Sequence, residues 1–331
     1  MNAPAGGQKR RAPTRRIDGV LLLDKPLGLT SNAALQRVKR LYAAERAGHT
    51  GTLDPLATGL LPICLGEATK FGGELLEADK RYRATLKLGV TTSTADAEGD
   101  VLEERPVDVT EAQLHEALAR FRGPISQVPP MHSAIKQGGQ PLYRLARQGQ
   151  TVDRPARQVV IHELHLLDFE SPHATLDVLC SKGTYIRTLA EDIGGALGCG
   201  AHLTALRRTG IGAHGLDGAV SLEKLEALDG PGRDALLRPV DSLLAGWPEA
   251  VLDSDAARRF GNGMTVAVTG ALPPAPADEA GPIRVYAGGP AGRLFLGLAT
   301  LDGGWLKPRR LVGGVSPVSA VTSPAILPEP K

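Results

Sequence analysis

The residue of this chain best suited to chemistry is Asp54, within the run Gly48-His49-Thr50-Gly51-Thr52-Leu53-Asp54-Pro55-Leu56-Ala57-Thr58-Gly59-Leu60-Leu61-Pro62. Glycine at 48, 51 and 59 lets backbone approach a ligand closely, because no Cβ intervenes. Pro55 pushes Asp54 out of the helical region into an extended or turn conformation. Leu53, Leu56, Leu60 and Leu61 predict that the loop packs on a core and holds the carboxylate rigidly. A lone carboxylate in such a place needs a partner, since an unpaired buried charge is costly. Taken by itself, an Asp-Pro dipeptide is better explained as a turn.

Further segments follow in a fixed order. Asp24-Lys25-Pro26-Leu27-Gly28-Leu29-Thr30-Ser31 precedes the Asp54 run, and Gly66-Glu67-Ala68-Thr69-Lys70-Phe71 continues it. Lys80-Arg81-Tyr82, Cys180-Ser181-Lys182-Gly183-Thr184-Tyr185-Ile186-Arg187-Thr188-Leu189 and Leu206-Arg207-Arg208 come later. In this order the segments resemble the motifs of the TruB family of tRNA pseudouridine synthases, over roughly residues 17 to 313.

The resemblance implies a reaction that breaks the bond from uracil N1 to ribose C1′, turns the base and rejoins it through C5. That stoichiometry requires neither cofactor nor metal. It implies Asp54 as the carboxylate that handles C1′ or activates the pyrimidine. Arg187 is implied as the guanidinium that keeps Asp54 ionised against desolvation. Tyr82 would stack on the flipped uracil; as a base for the C5 proton it would need a pKa below the usual value of about 10. His49 would fill the space left by the extruded base. Asp96 would orient the site by hydrogen bonding, Leu206 would form an apolar wall, and Lys25 would contact phosphate or, as the favoured reading, support the Asp54 loop. Arg144 and Arg147 fall in a stretch similar to the family's RNA-gripping insert. The implied partner is the T-arm of tRNA at the position called uridine 55, read by loop shape and phosphate contacts. No protein partner is implied, and a monomer is expected.

Composition narrows the setting. With 38 basic and 36 acidic residues the net charge is only +2, so local clusters must carry any attraction to RNA. Lys9, Arg10, Arg11, Arg15 and Arg16 form one cluster, and Arg144, Arg147, Arg154 and Arg157 form another. Cys64, Cys180 and Cys199 stand far apart without CxxC spacing, which indicates neither a zinc site nor a disulfide framework and fits a reducing cytoplasm. The apolar run Val20-Leu21-Leu22-Leu23 ends at Asp24-Lys25, too short for a signal peptide or a membrane span.

The elements that must position these residues read as an α+β fold around a mixed, largely antiparallel sheet with flanking helices, followed by a small C-terminal β domain. Expected strands cover 17–23, 60–65, 158–169 and 174–181, and period-two alternation from Arg81 puts Tyr82, Ala84, Leu86 and Leu88 on one face. Expected helices include one capped by Ser31, one over 67–78, one from the Thr110/Gln113 capping box to Phe121 and Gly123-Pro124, and one capped by Thr184 with Arg187 in its first turn. Residues 1–16 read as a disordered basic tail, 17–245 as the catalytic domain with the insert at about 125–157, and 246–315 as the β domain. Asp302-Gly303-Gly304 signals a hairpin there, and the Lys307–Val312 ending is similar to that of the family's PUA-like module. Residues 270–282 read as an insertion loop and 316–331 as a disordered tail.

Two other classes fit parts of the pattern. In a pure RNA-binding or RNA-folding protein Asp54 would be structural. In a hydrolase, Asp54 and Asp96 would cleave a glycosidic bond as a carboxylate pair and release free uracil. Phosphate-loop chemistry is excluded, since neither GxxxxGK[ST] nor GxGxxG occurs in a strand-to-helix setting.

Overall fold

The computed structural model describes residues 14–133, 135–268, 281–289 and 292–313. Most of the expected insertion loop, the C-terminal tail and most of the N-terminal tail lie outside these residues. Arg15, read as part of the tail, is instead pinned to the body by an ion pair with Asp234 at 2.5 Å and a backbone bridge to Ala44.

The chain begins with β1 (Gly19–Lys25), α1 (Ser31–Leu41), β2 (Ala47–His49), β3 (Ala57–Leu65), α2 (Gly72–Glu77) and β4 (Lys80–Leu88). A hairpin of β5 (Val90–Thr92) and β6 (Val101–Glu104) leads to α3 (Glu111–Ala119) and β7 (Gly123–Gln127). A small hairpin of β8 (Lys136–Gln137) and β9 (Gln140–Pro141) precedes α4 (Leu142–Arg147). Then come β10 (Arg157–Glu170), β11 (His173–Cys180), α5 (Ile186–Leu197), β12 (Ala201–Ile211), β13 (His214–Gly215) and β14 (Val220–Ser221).

One ten-stranded sheet runs β14-β1-β3-β12-β4-β11-β10-β7, with β2 on β3 and β13 on β12. Its pairings are antiparallel except β1 with β14 and β3 with β12, which matches the expected mixed, largely antiparallel sheet. Strand β1 shows why Val20 to Leu23 is uniformly apolar. Leu21 and Leu23 enter the cluster under α1, while Val20 and Leu22 enter another cluster with Leu60, Phe71 and Leu244. A strand covered on both faces has no solvent side to mark with polar residues. A further cluster lies between β4, β10, β11 and helices α3 and α5. Tyr82 and Leu206 pack against both the α1 cluster and the α5 cluster, so the site lies between two cores.

The C-terminal β domain contains β15 (Glu249–Leu252), α8 (Ser254–Gly261), β16 (Val266–Ala267), β17 (Ile283–Gly289), β18 (Gly292–Asp302) and β19 (Trp305–Leu311), after short helices α6 (Leu222–Ala227) and α7 (Gly230–Asp234). Its sheet order is β15-β17-β18-β19-β16. The expected hairpin is present: Gly303 and Gly304 take φ of 56° and 83°, which residues without a Cβ adopt freely. Phe71 meets Phe295 with ring centroids 5.3 Å apart, and Tyr286 Oη donates to Asp241 at 2.7 Å, fastening this sheet to the larger one.

Four local expectations change. Thr30, not Ser31, caps α1, because its hydroxyl accepts the N–H of Ala33. Tyr185 occupies the N-cap of α5 without a side-chain cap, and Thr184 bonds back to Ser181. The stretch 67–78 splits at Phe71 into a 3-10 turn (Gly66–Lys70) and α2. Gly123-Pro124, expected to end the α3 stretch, also opens β7, so the start of the expected insert belongs to the sheet, where β7 pairs with β10.

Candidate active site

The Asp54 loop enters β3 at Ala57, and β3 lies parallel to β12, with Leu206 opposite Ala57 and Arg208 opposite Gly59. On its other side β12 places Arg208 opposite Tyr82 of β4. Gly59 has φ of 98°, and a Cβ there would come within 2.2 Å of the Arg208 carbonyl oxygen, so this crossing needs glycine. Sheet register alone therefore sets Tyr82, Leu206 and Arg208 under the Asp54 loop.

The resulting cavity measures about 260 Å³ and is lined by Leu53, Asp54, Tyr82, Arg187, Leu206 and Arg208 among others. Arg187, in the first turn of α5, is 6% exposed and reaches Asp54 Oδ2 through Nη2 at 3.0 Å. The same guanidinium lies 3.5 Å from Asp96 Oδ2 through Nε and donates to the carbonyls of Thr94 at 3.2 Å and His132 at 2.6 Å. One cation thus joins two carboxylates and two loops.

The two acids differ in setting. Asp54 keeps 42% side-chain exposure, toward the cavity, whereas the Asp96 side chain is 4% exposed and does not line it. Asp96 Oδ1 accepts from Thr94 Oγ1 at 2.5 Å and from the Glu98 N–H at 3.0 Å, which fixes it behind Arg187. Burial raises the Asp54 pKa above the ordinary carboxylate value, the Arg187 charge opposes this, and the Asp96 charge adds to the rise. Burial also raises the Tyr82 pKa, with Arg208 opposing. A phenol so held is a weak base near neutrality.

Lys25 is fully buried and donates to the carbonyls of Pro26 at 2.8 Å and Leu29 at 2.6 Å. Its pKa is lowered to about 8 by burial, with Asp54 and Glu98 pulling the other way. Its hydrogen bonds run to the turn beside the Asp54 loop. His49, on β2, is outside the cavity lining, and its buried Nδ1 has no hydrogen-bond partner. Burial and the Arg208 charge lower its pKa, which leaves a neutral, flat ring near neutrality. Arg144 is exposed on α4 and does not line the cavity; Arg147 ends the same helix.

Three contributors escaped the sequence reading. Arg208, 1% exposed, donates through Nε to the Leu60 carbonyl at 2.8 Å and through Nη2 to the Gly51 carbonyl at 3.1 Å, tying the Asp54 loop to β12. Tyr185, to which the Arg187 segment assigned no role, lines the cavity, as does Ser133 from the segment before α4. The adjacency of Arg208 to the Leu206 motif was the available signal for the first; nothing local distinguishes Ser133.

Comparison with known proteins agrees with this geometry. Residues 39–186 match the family described as TruB family pseudouridylate synthase, N-terminal domain. Residues 187–245 and 248–312 match two C-terminal domain descriptions of the same enzymes. The tRNA pseudouridine synthase B of Ralstonia nicotianae is 58% identical over 317 residues, covering 94% of this chain and 99% of the relative. That of Burkholderia lata is 57% identical over 308 residues, covering 93% and 94%. Among solved structures, one of a Cbf5-Nop10-Gar1 complex superposes with a TM-score of 0.69 at 25% identity, covering 89% of this chain and 84% of that one. An H/ACA RNP bound to a substrate RNA containing 2′-deoxyuridine gives 0.67 at 24% identity, a likeness of fold. The chain is a member of the TruB family of pseudouridylate synthases.

Proposed function

We propose that this protein isomerises uridine to pseudouridine in the T-arm loop of tRNA, at the position called uridine 55, without cofactor and without a protein partner. The observation that carries the reading is Asp54 at the mouth of a cavity of about 260 Å³, 3.0 Å from a buried arginine. Relatives named tRNA pseudouridine synthase B at 57–58% identity support the substrate class.

The uridine leaves its stack, at a cost of a few kcal/mol, and enters the cavity. Tyr82 stacks on the ring and Leu206 walls it. Asp54, kept ionised by Arg187, acts as the N1–C1′ bond breaks. The base turns, C5 bonds to C1′ and gives up its proton, and N1 gains one, so atoms balance. The raised Tyr82 phenol suits stacking better than proton removal from C5. His49 fills the vacated stack, Asp96 and Lys25 hold the Arg187 and Asp54 segments, and Arg144 and Arg147 grip the RNA backbone. The C-terminal β domain serves as a PUA-like RNA-binding module.

The hydrolase reading loses support from Asp96, whose carboxylate sits behind Arg187 rather than across the cavity. A direct test incubates the purified protein with an unmodified tRNA transcript and one lacking uridine at position 55. Pseudouridine at that position with unchanged RNA mass is expected. Loss of a base from the RNA, modification elsewhere, or dependence on an added guide RNA would overturn the proposal.

A further inference from the structure

Asp54 and Arg187 lie on separate segments, and each segment is gripped beside the charged residue by one buried side chain. Ser31, the first residue of α1 and 2% exposed, accepts the Leu53 N–H at 2.7 Å and donates to the Leu53 carbonyl at 3.0 Å. Gln127, the last residue of β7 and also 2% exposed, accepts the Tyr185 N–H at 3.0 Å through Oε1 and donates to the Tyr185 carbonyl at 3.3 Å through Nε2. Leu53 immediately precedes Asp54, and Tyr185 is two residues before Arg187.

Leu53 belongs to no strand or helix, and Tyr185 stands at the N-cap of α5, where only its carbonyl joins the helix, accepting from Leu189 at 3.0 Å. In each case the N–H and the C=O both bond to one side chain rooted in a regular element. Two bonds to a single residue restrict rotation as well as distance, which one bond does not. Gln127 also satisfies the N–H of the N-cap residue of α5, which itself offers no side-chain cap. The clamps therefore act on the two segments that carry the halves of the 3.0 Å ion pair.

We propose that Ser31 and Gln127 are positioning residues for the isomerisation: two backbone clamps that set the spacing and orientation of Asp54 and Arg187. The inference rests on the function proposed above. Misplacement of a reacting group by about 1 Å can cost about 100-fold in rate, while groups that meet only protein leave substrate affinity alone.

The test compares Ser31→Ala, Ser31→Thr, Gln127→Ala and Gln127→Glu with the parent. The measurements are single-turnover rate and Kd on a tRNA transcript, the pH–rate profile, and amide hydrogen exchange. Both alanine variants are expected to lose roughly tenfold to 100-fold in rate with Kd within about twofold. Their acid limb should move to higher pH, since Asp54 meets Arg187 less well. Exchange should quicken at Leu53 in Ser31→Ala and at Tyr185 in Gln127→Ala. Ser31→Thr, which keeps the hydroxyl, should recover most of the rate. Gln127→Glu, which can accept but not donate when ionised, should fall between parent and Gln127→Ala. Parent-like rates in the alanine variants, or in Gln127→Glu should they not fold, would overturn the clamps. So would a rate loss matched by an equal loss of affinity. A parent protein that forms no pseudouridine would refute the proposed function instead, while the exchange data would still judge the clamps.

Discussion

Replacing Arg187 by lysine isolates what the guanidinium contributes beyond its charge. Arginine presents five donors in a rigid plane, and here they serve Asp54 at 3.0 Å, Asp96 at 3.5 Å and the Thr94 and His132 carbonyls. An ammonium is one point with three protons and cannot reach all four acceptors. If it stays with Asp96 and one carbonyl, Asp54 and the other carbonyl lose their donors. Hydrogen bonds to charged groups contribute about 1.5–3 kcal/mol and neutral ones about 1 kcal/mol, so the loss is about 3 kcal/mol. At ~1.36 kcal/mol per decade the single-turnover rate should fall roughly 100-fold. The pH profile should change as well. Burial raises the Asp54 pKa and Arg187 opposes that rise, so a more distant cation lets it rise further. Activity needs the ionised form and is lost as pH falls through this pKa, so the acid limb should move to higher pH. The assay is proton release from C5 of labelled uridine in a tRNA transcript, under enzyme excess, across pH. A variant with the parent rate and the parent acid limb would refute the reasoning.

Other substitutions probe the frame. Asp192, inside α5, has its pKa raised to about 6 by burial and by Glu191. The folded state therefore holds a proton that the unfolded chain releases near 3.8, and stability falls as pH rises from 3.8 to about 6. Asp192→Asn should raise the thermal midpoint by a few degrees at pH 7 and leave it unchanged at pH 3, read by calorimetry. Gly59→Ala should abolish folding or cost several kcal/mol in denaturant titration, because its Cβ would meet the Arg208 carbonyl oxygen at 2.2 Å. Phe71→Ala, at a position 0% exposed and in contact with Phe295, should cost about 3–5 kcal/mol in the same assay.

The sequence made the site legible where chemistry and local geometry coincide. Asp54, Tyr82 and Arg187 were marked by the family motifs their segments resemble; local pattern added the glycines and Pro55 around Asp54 and an inward face of β4 for Tyr82, while Arg187 alone reads as covering a helix surface. The sheet's mixed character also followed from the order of elements. What escaped was set by contacts between distant segments. Arg208 matters because β3 and β4 flank β12 at Gly59 and Tyr82, a register no local pattern reveals. Ser31 looked like a helix cap because serine commonly caps helices. Its hydroxyl instead faces Leu53, and Thr30 beside it takes the cap. Tyr185 drew no role because a tyrosine beside an apolar helix start gives no sign of the cavity it lines.

The account depends on the negative charge of Asp54 opposite Arg187, and Asp54→Asn removes that charge while keeping the side chain's shape. The decisive measurement is pseudouridine formed per tRNA by this variant under enzyme excess, beside its Kd for the same transcript. The account predicts affinity within about twofold of the parent and no pseudouridine above background. Product formation at the parent rate would contradict it.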